Sequence, residues 1–549
     1  MRCLQIAFMV LIGIALSQAT VIERARAQNS PPPSFVPGEL IIGYKSSDDR
    51  DQAVREKTAT QEKMRVRGAV PTELEIQKVG ESAVKVRITF PKSVQENTRA
   101  GSPSELSLLQ EIAKQLKEKD PRIDSVQLNW IRRINPPKPA TAIQKDTLPE
   151  LQNLKSIEEG STNEPNDPYF PLQWHYQALP KGMNAVGAWR SNVKGSRDIV
   201  VAVLDTGIVN HEDINGAGNI LLGYNFVTAS DPCTLQATKI GPGAADTGDT
   251  CSEPPEGHWH GTHVAGTIGA VGSNNGRGLA GVAWYVKILP VRVLSQGSGT
   301  DGDIINAMLW AAGLPVDGAP INQNPADIIN MSLGSTSVWG GQFHECNEET
   351  ANEYIKAIRA IRKKGAVIVA SAGNGETLDQ NNERCTEDPQ NQQCKFVQVD
   401  VKNAVPAGCP GVISVASSDA RGRLAWYSNY GAVTIMAPGG DSGQTEEFII
   451  GGKKYKLPLG VWSSVKGKPG LIPYDVLNGT SQAAPHVSGA IALALAAHQD
   501  WRHRPDLIEQ KLRASAVAPP QGGCPRAKPC GPGQLDAALL VGTQSGARQ

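Results

Sequence analysis

The amino-acid sequence predicts an α/β protein with a doubly wound, mostly parallel sheet flanked by helices, preceded by a small α+β unit. Three observations support this fold class. From about residue 167 onward, short apolar runs with the length of buried strands alternate with helical segments. Within residues 28–135, strand-like alternation surrounds a charged helical segment. Between them, residues 136–166 are rich in proline, lysine, glutamate and serine, which is typical of an exposed linker.

Residues 1–27 have the pattern of a secretory signal peptide. Arg2 precedes an apolar run over residues 4–16, and a small-x-small cleavage pattern ends at Ala27. The run is too short to span a bilayer as a helix. We therefore expect an exported, extracellular protein without a membrane anchor, with the signal peptide cleaved after Ala27. Cleavage after Ala19 is the alternative. The alternative to a signal peptide is a buried N-terminal helix.

The small α+β unit is predicted from residues 28–135. Residues 39–44 (ELIIGY) and 83–89 (AVKVRIT) alternate as strands do. A helix is predicted between residue 89 and the linker, because apolar residues recur there at helical spacing. They are Leu106, Leu109, Ile112 and Leu116.

The larger unit is predicted from residues 167–543, with a short tail over 544–549. Runs of four to eight apolar residues between helices indicate buried parallel strands. The runs are Ile199 to Leu204, Val286 to Val293, Asp327 to Leu333, Ala366 to Ala370, Val412 to Ala416 and Val433 to Met436.

Charge and cysteine content exclude some function classes. The 54 lysines and arginines balance 54 aspartates and glutamates, so no basic field indicates a nucleic-acid partner. Separately, a monomer is the default expectation. Cys3 would leave with the signal peptide, and the even set that remains favours disulfides in an exported chain. The sequence contains no CxxC pair, so a zinc site held by cysteines is not expected. The remaining cysteines are Cys233, Cys251, Cys346, Cys385, Cys394, Cys409, Cys524 and Cys530.

Four polar residues stand where a doubly wound sheet places its reactive groups, beyond strand ends or at helix starts. Asp205 directly follows an apolar run, and Asn374 follows the segment VIVASAG. Ser481 lies where a glycine-containing loop becomes an alanine-rich helix, and Pro485 suits only the first turn of that helix. His260 opens another glycine-to-helix junction, HGTHVAG. A serine, a base and an acid are the requirements of nucleophilic serine catalysis.

Four segments around these residues resemble the signature blocks of the subtilisin-like serine protease (subtilase) family, in the order Asp, His, Asn, Ser. The resemblance covers about residues 167–543, and residues 35–135 more loosely resemble the inhibitor-like prodomain of the family. The four blocks are VAVLDTGI (201–208), GHWHGTHVAGT (257–267), ASAGN (370–374) and NGTSQAAPHVSG (478–489).

The resemblance implies roles for the four residues. Asp205 would orient His260, His260 would act as general base and then acid, and Ser481 would be the nucleophile. The side-chain amide of Asn374 would hold the oxyanion together with the backbone N–H of Ser481. The implied protein is a secreted serine endopeptidase with protein and peptide substrates and no organic cofactor. Its own prodomain would act as intramolecular chaperone and inhibitor, removed by self-cleavage within residues 136–166.

Two segments resemble the edges of the family's substrate cleft, and an extended peptide would add a strand between them. For one of the two segments, the triplet GSG at residues 297–299, a plain surface loop is the alternative. The wall of the first specificity pocket is assigned to Ala404 and Val405, which predicts tolerance of large apolar side chains, while Asp400 leaves a basic preference open. The edges are Ser332, Leu333 and Gly334 on one side and Gly297, Ser298 and Gly299 on the other.

A structural calcium ion is also implied. Asp213 matches a calcium ligand of the family, and the glycine-flanked loop containing Asn275 resembles its partner. Calcium takes carboxylate, amide and backbone oxygens, although a plain surface turn is the alternative. His260 and His263 have HxxH spacing but lack the HExxH glutamate, so zinc is not expected.

Closeness in sequence predicts the disulfides Cys233–Cys251 and Cys524–Cys530, and Cys385–Cys394 would close a small loop. The remaining pair, Cys346–Cys409, resembles a bridge in extracellular members of the family.

Two features depart from the family pattern. Gln482 follows Ser481 where many relatives have methionine, and segments 231–258 and 440–475 are longer than in minimal relatives. A lipase or esterase is excluded, because its nucleophile lies in GxSxG with the order Ser, Asp, His. A degenerate, non-catalytic relative would lack a catalytic residue, and here all four are present.

Overall fold

The computed structural model describes residues 34–66, 69–95, 98, 102–134, 163–215, 218–228, 240–248, 259–269, 276–339, 342–382, 394–450, 453–466 and 473–542. The predicted signal peptide and nearly all of the predicted linker lie outside these ranges. So do four predicted site residues: Asn275, Cys233, Cys251 and Cys385.

The first unit is an antiparallel sheet with strand order β2-β3-β1-β4, covered by helices. Its longest helix is the predicted one, and the side chains of Leu109, Ile112 and Leu116 are fully buried against the sheet. The Ser102 hydroxyl caps this helix by accepting the N–H of Glu105. The elements are β1 (Phe35–Tyr44), α1 (Ser47–Arg55), α2 (Lys57–Lys63), β2 (Glu73–Val79), β3 (Ala83–Thr89), α3 (Lys92–Gln95), α4 (Pro103–Lys119) and β4 (Ile123–Arg133).

Strands β2 and β4 were not predicted. In β4, Ser125, Gln127 and Asn129 are polar but buried, because this face lies against the second unit and not against solvent. The other face of β4 is apolar: Leu128 and Trp130 pack in the core of the first unit, with Val126 beside them. These residues alternate with the polar ones, so the strand was missed although its pattern is present in the sequence.

The second unit contains a sheet with ten described strands, in the order β24-β25-β19-β18-β14-β10-β5-β8-β6-β7. Its pairs are parallel except those of the terminal strands β24 and β7. All six predicted apolar runs form strands of this sheet, so the predicted doubly wound α/β fold is confirmed. The strands are β5 (Val200–Asp205), β6 (Tyr224–Asn225), β7 (Gly241–Pro242), β8 (Lys287–Arg292), β9 (Ser298–Thr300), β10 (Ile328–Met331), β11 (Ser335–Thr336), β12 (Val338–Trp339), β13 (Gln342–Phe343), β14 (Val367–Ser371), β15 (Glu376–Leu378), β16 (Lys395–Val397), β17 (Ala404–Val405), β18 (Ile413–Ser418), β19 (Ile435–Pro438), β20 (Asp441–Ile450), β21 (Lys453–Leu459), β22 (Val461–Ser464), β23 (Tyr474–Leu477), β24 (Ala516–Val517) and β25 (Gln534–Leu535).

Helices cover both faces of this sheet. They are α5 (Ala185–Arg190), α6 (Glu212–Asn215), α7 (His260–Gly269), α8 (Asp301–Ala311), α9 (Asn352–Lys363), α10 (Thr480–Ala497), α11 (Pro505–Ala514) and α12 (Ala537–Leu540). In β5, Val201 and Val203 pack in the core that includes α7 and α10, whereas Ala202 and Leu204 pack in the core that includes α8 and α9. Burial on both faces explains why the strand is continuously apolar in sequence.

The segments predicted to be longer than in minimal relatives differ in how much of them is described. Most of residues 440–475 forms the hairpin β20–β21 and the paired strands β22 and β23. Of residues 231–258, the structure describes only 240–248, which includes β7. Among the described residues, no helix is both long and apolar enough to cross a membrane.

Two predicted disulfides are present: Cys346–Cys409 and Cys524–Cys530. Cys394 is disulfide-bonded as well. The predicted partner of Cys394 and both cysteines of the remaining predicted pair lie outside the described residues.

Candidate active site

Four predicted site residues meet at the carboxyl edge of the main sheet. Asp205 is the last residue of β5, and Asn374 lies three residues beyond the end of β14. His260 is the first residue of α7 and Ser481 the second of α10, so both helices begin at this edge. His260, Asn374 and Ser481 line one cavity. The sheet therefore brings together residues that are up to 276 positions apart in the chain.

Asp205 and His260 form a buried hydrogen-bonded pair. The Nδ1 atom of His260 lies 2.9 Å and 3.0 Å from the two carboxylate oxygens of Asp205. Because a carboxylate accepts, Nδ1 carries the proton and Nε2 of the neutral ring is an acceptor. Nε2 is buried, with no hydrogen-bond partner in the described part of the chain. The pair thus presents a base, oriented by an acid.

Ser481 lines the same cavity as His260 and lies at the start of its helix. Gly479 precedes the helix with a φ of 152°, in the region that favours glycine. The Ser481 hydroxyl donates to the backbone oxygen of Ser332 at 3.1 Å, and the Ser332 hydroxyl donates to the backbone oxygen of Ser481 at 2.8 Å. The hydroxyl is therefore bonded to Ser332 and not to His260, and catalytic hydrogen bonds of this kind often form only with substrate bound.

The side-chain amide of Asn374 has a defined orientation. Its Oδ1 atom accepts the backbone N–H of Thr480 at 2.8 Å and the Thr480 hydroxyl at 2.7 Å. Since Oδ1 faces Thr480, the Nδ2 group is turned away from Thr480. This orientation suits an amide that donates to a negative oxygen beside Ser481.

The two predicted cleft edges have a strand between them, and this strand is the end of β4 from the first unit. Arg132 pairs with Gly299 of β9. The N–H of Arg133 donates to Gly334 O at 3.2 Å, and the N–H of Gly334 donates to Arg133 O at 3.4 Å. The N–H of Ile134 donates to Gly297 O at 2.8 Å. An extended chain thus adds a strand between the two segments, as expected for a peptide.

A second cavity beside Ser481 contains the predicted pocket wall. Ala404 and Val405 line it together with Leu333. Glu376, which the sequence analysis missed, lines the same cavity. Asp400 is not among the lining residues, and its carboxylate accepts the N–H of Lys402. The only sequence signal for Glu376 was its position two residues after Asn374.

Thr206 and Asp246 are further residues that sequence reasoning missed. The Thr206 hydroxyl donates to Asp246 Oδ2 at 2.6 Å and accepts the N–H of Gly261 at 3.1 Å. The bond to Gly261 connects Thr206, the residue after Asp205, with the start of α7. Burial raises the pKa of Asp246 above its ordinary value. Thr206 could have been found from the block VAVLDTGI, but nothing in the sequence marks Asp246.

Asp213, the predicted calcium ligand, is a buried carboxylate. The side chain is buried, its Oδ2 accepts the N–H of Leu279 at 3.0 Å, and burial raises its pKa to about 7, with Asp167 and Glu212 contributing. The described residues contain no group of three acidic, histidine or cysteine side chains that could hold a metal. A site here would therefore combine the Asp213 carboxylate with amide and backbone oxygens, a donor set that calcium accepts.

Comparisons with known proteins identify the family of the chain. The model of the Subtilase family matches residues 196–533. The chain is 37% identical over 346 residues to an extracellular basic protease of Dichelobacter nodosus, covering 61% of this chain and 48% of that protein. It is 36% identical over 389 residues to an extracellular protease of Xanthomonas campestris pv. campestris, covering 68% of this chain and 57% of that protein. The chain thus spans about half the length of these curated relatives.

Solved structures of two proteases also match the chain. A structure titled as proteases from Pseudoalteromonas arctica matches with a TM-score of 0.53 and 36% identity, covering 69% of this chain and 98% of that chain. The epidermin leader peptide processing serine protease of Staphylococcus aureus shares the fold, with a TM-score of 0.54 and 18% identity over 92% of this chain and 98% of that chain. The family match covers more than half of the chain, and its residues include all four that meet at the sheet edge. The chain therefore belongs to the subtilase family.

Proposed function

We propose that the protein is a secreted serine endopeptidase that hydrolyses peptide bonds of proteins through Asp205, His260 and Ser481. One observation carries the proposal: His260, hydrogen-bonded to the buried Asp205, lines one cavity with Ser481, and the end of β4 is paired as an extended chain with both edges of the cleft. The curated relatives named above are extracellular proteases, which supports export. We expect the processed protein to be a monomer.

The chemistry follows from the positions of the three side chains. The Ser481 oxygen attacks the substrate carbonyl carbon while His260 Nε2 takes the hydroxyl proton, and Asp205 stabilises the resulting imidazolium. The oxyanion is held by Asn374 Nδ2 and the N–H of Ser481. The C–N bond then breaks, and His260 returns the proton to the leaving amine. Water, deprotonated by His260, hydrolyses the acyl-enzyme ester and restores Ser481.

The first unit is proposed to be a prodomain that acts as intramolecular chaperone and inhibitor. Its last strand lies in the cleft, and its sheet packs on α8 and α9. Lys85 of this unit pairs with Asp303 of α8 at 3.2 Å, and the N–H of Gly80 donates to Asn306 at 2.9 Å. Self-cleavage within residues 136–166 would free the unit from the catalytic part.

The test of this function uses the purified, processed protein with casein and a peptide library. We expect hydrolysis that a serine-reactive inhibitor abolishes. Expression of Ser481→Ala should accumulate a precursor of about 55 kDa, because 27 of the 549 residues of the 58.4 kDa chain are removed with the signal peptide. The matched control is Ser488→Ala, since Ser488 lies on the same helix and bonds to Asn330, away from the cavity. Normal maturation of Ser481→Ala without another protease would contradict self-processing.

We also propose a structural calcium ion bound by Asp213 and Asn275. Binding to the folded state alone at 100 times Kd stabilises a protein by about 2.7 kcal/mol. A calcium chelator should therefore lower the melting temperature of the wild type and have little effect on Asp213→Asn. The exposed Asp317 supplies the control, because Asp317→Asn should keep the full chelator effect. Equal chelator effects in the wild type and in Asp213→Asn would exclude Asp213 as a ligand.

A further inference from the structure

Arg132, in the strand that lies in the cleft, has a buried charge with well-defined partners. Its side chain is 3% exposed and that of Asp301 is 1% exposed. The Nε and Nη2 atoms of Arg132 donate to the two carboxylate oxygens of Asp301 at 2.6 Å and 2.7 Å. Nη1 donates to the Ser335 hydroxyl at 3.0 Å, and the guanidinium lies 5.7 Å from the centre of the Tyr354 ring. The guanidinium is thus recognised through its charge, its fork of donors and its flat face.

The groups that hold Arg132 all belong to the second unit. Asp301 begins α8 directly after edge strand β9, Ser335 follows Gly334 on the other edge, and Tyr354 lies on α9. These groups therefore remain in place when the first unit is released. Burial raises the pKa of Asp301 although the charge of Arg132 opposes this. A carboxylate in such a place is costly to leave without a cation.

The register of the strand in the cleft sets the position of this pocket in a substrate. Arg133 and Gly334 exchange two hydrogen bonds, so the next bonded residue of an extended chain is two positions further on and lies opposite Ser332. The backbone oxygen of Ser332 accepts the hydroxyl of Ser481, so the residue opposite Ser332 lies beside the nucleophile. A side chain in the place of Arg132 is therefore three residues before the residue whose carbonyl is attacked.

We propose that Asp301, together with Ser335 and Tyr354, forms a specificity subsite for an arginine side chain of the substrate, three residues before the attacked residue. This inference rests on the proposed peptidase function and narrows its substrates to proteins that carry arginine at this position. Arginine is preferred over lysine, because an ammonium group cannot make the bidentate contact or lie flat on the Tyr354 ring. A neutral side chain leaves Asp301 buried without its partner.

The test uses fluorogenic peptides that differ only at this position, with arginine, citrulline, lysine or alanine. Citrulline has the shape of arginine without its charge. We expect kcat/KM for arginine to exceed that for citrulline by at least about tenfold, the value of a hydrogen bond to a charged group, with lysine between them. The preference should disappear when arginine is moved by one residue in either direction. Because the ratio is measured on one enzyme preparation, it does not depend on the fraction of active protein.

Each outcome decides one of the two proposals. Cleavage of casein with equal kcat/KM for the four peptides would overturn the subsite alone. Failure to cleave casein or any peptide would overturn the proposed function, and with it the subsite.

Two variants separate the subsite from a structural role. Asp301→Asn keeps the size of the side chain and should reduce the arginine-to-citrulline ratio to near one. Asp303→Asn is the matched control, because Asp303 lies on the same helix and also pairs with a cation of the first unit, Lys85, but Lys85 lies on β3 and not on the strand in the cleft. Its ratio should equal that of the wild type. If Asp301→Asn fails to mature, the wild-type peptide series still decides the proposal.

Discussion

Residues that are not reactive themselves orient the reactive side chains of the cleft. Thr480 contacts Asn374 through both its N–H and its hydroxyl, and this determines which end of the amide faces the cavity. Thr206 links the strand of Asp205 to the helix of His260 through Gly261. Such contacts hold a site in one geometry before substrate binds, which limits the reorganisation needed during reaction.

Replacing Asn374 tests the oxyanion role. Asn374→Ala should lower kcat about 10²- to 10³-fold, or about 2.7–4 kcal/mol, with little change in KM, because the bond forms in the transition state. Asn374→Asp keeps an acceptor for Thr480 but lacks the donor, so we expect a comparable loss of kcat with a melting temperature nearer to that of the wild type. The measurement is kcat per active site, titrated with a serine-reactive inhibitor. A near-normal kcat with reduced stability would assign Asn374 to the turn alone.

Strands and helices on both sides of the cleft are joined by covalent as well as hydrogen bonds. The disulfide Cys346–Cys409 connects the segment before α9 with the segment after β17. The first of these leads to Tyr354 and the second follows Ala404 and Val405. The bridge therefore restrains the two elements that carry the pocket wall and part of the proposed subsite.

The two described bridges should differ in how much they stabilise the protein. Cys346–Cys409 has a sequence separation of 63 residues and Cys524–Cys530 one of 6. Chain entropy of the unfolded state then makes the first bridge more stabilising by about 2 kcal/mol. We expect the double serine variant of Cys346 and Cys409 to lose more unfolding free energy in urea than that of Cys524 and Cys530. Equal losses would mean that strain or residual structure, and not loop length, determines how much each bridge stabilises the protein.

The molecule as a whole buries three histidines between its main helices and the N-terminal part of the second unit. His175, His263 and His486 are fully buried, and His486 Nε2 lies 2.7 Å from His175 Nδ1. Burial lowers the pKa of His263 to about 3 and that of His486 to about 4, and it lowers the pKa of His175 well below its ordinary value. All three rings are therefore neutral in the folded protein near neutral pH.

These histidines predict a loss of stability in acid. The unfolded chain takes up protons at these sites below about pH 6.5, where the folded protein does not, so the unfolding free energy falls as pH is lowered from 6.5 towards 4. Urea unfolding of the Ser481→Ala protein, which cannot digest itself under the proposed mechanism, measures this dependence. His263→Asn should make it shallower, whereas His503→Asn, at an exposed position, should not. An unchanged slope in His263→Asn would contradict this account.

Sequence reasoning succeeded where a local pattern reflects a local cause. Strand β5 was predicted because burial on both faces makes it continuously apolar, and α4 because one face of it is buried. Strand β4 was missed although Val126, Leu128 and Trp130 alternate with polar residues in its sequence. Only the structure shows that the polar face lies against the second unit and not against solvent. Asp246 was missed because its link to the site is a hydrogen bond to Thr206, which is 40 positions away in the chain.

The sequence by itself determined the α/β class, the subtilase family and the set of polar residues at the strand and helix ends, because each depends on residues adjacent in the chain. Only the tertiary structure decided that the end of β4 lies between the two cleft edges and that Arg132 meets Asp301. The partners of that contact are 169 positions apart in the chain. Attraction between two buried charges depends on their distance in space and on exclusion of water, and neither is written in the order of the residues.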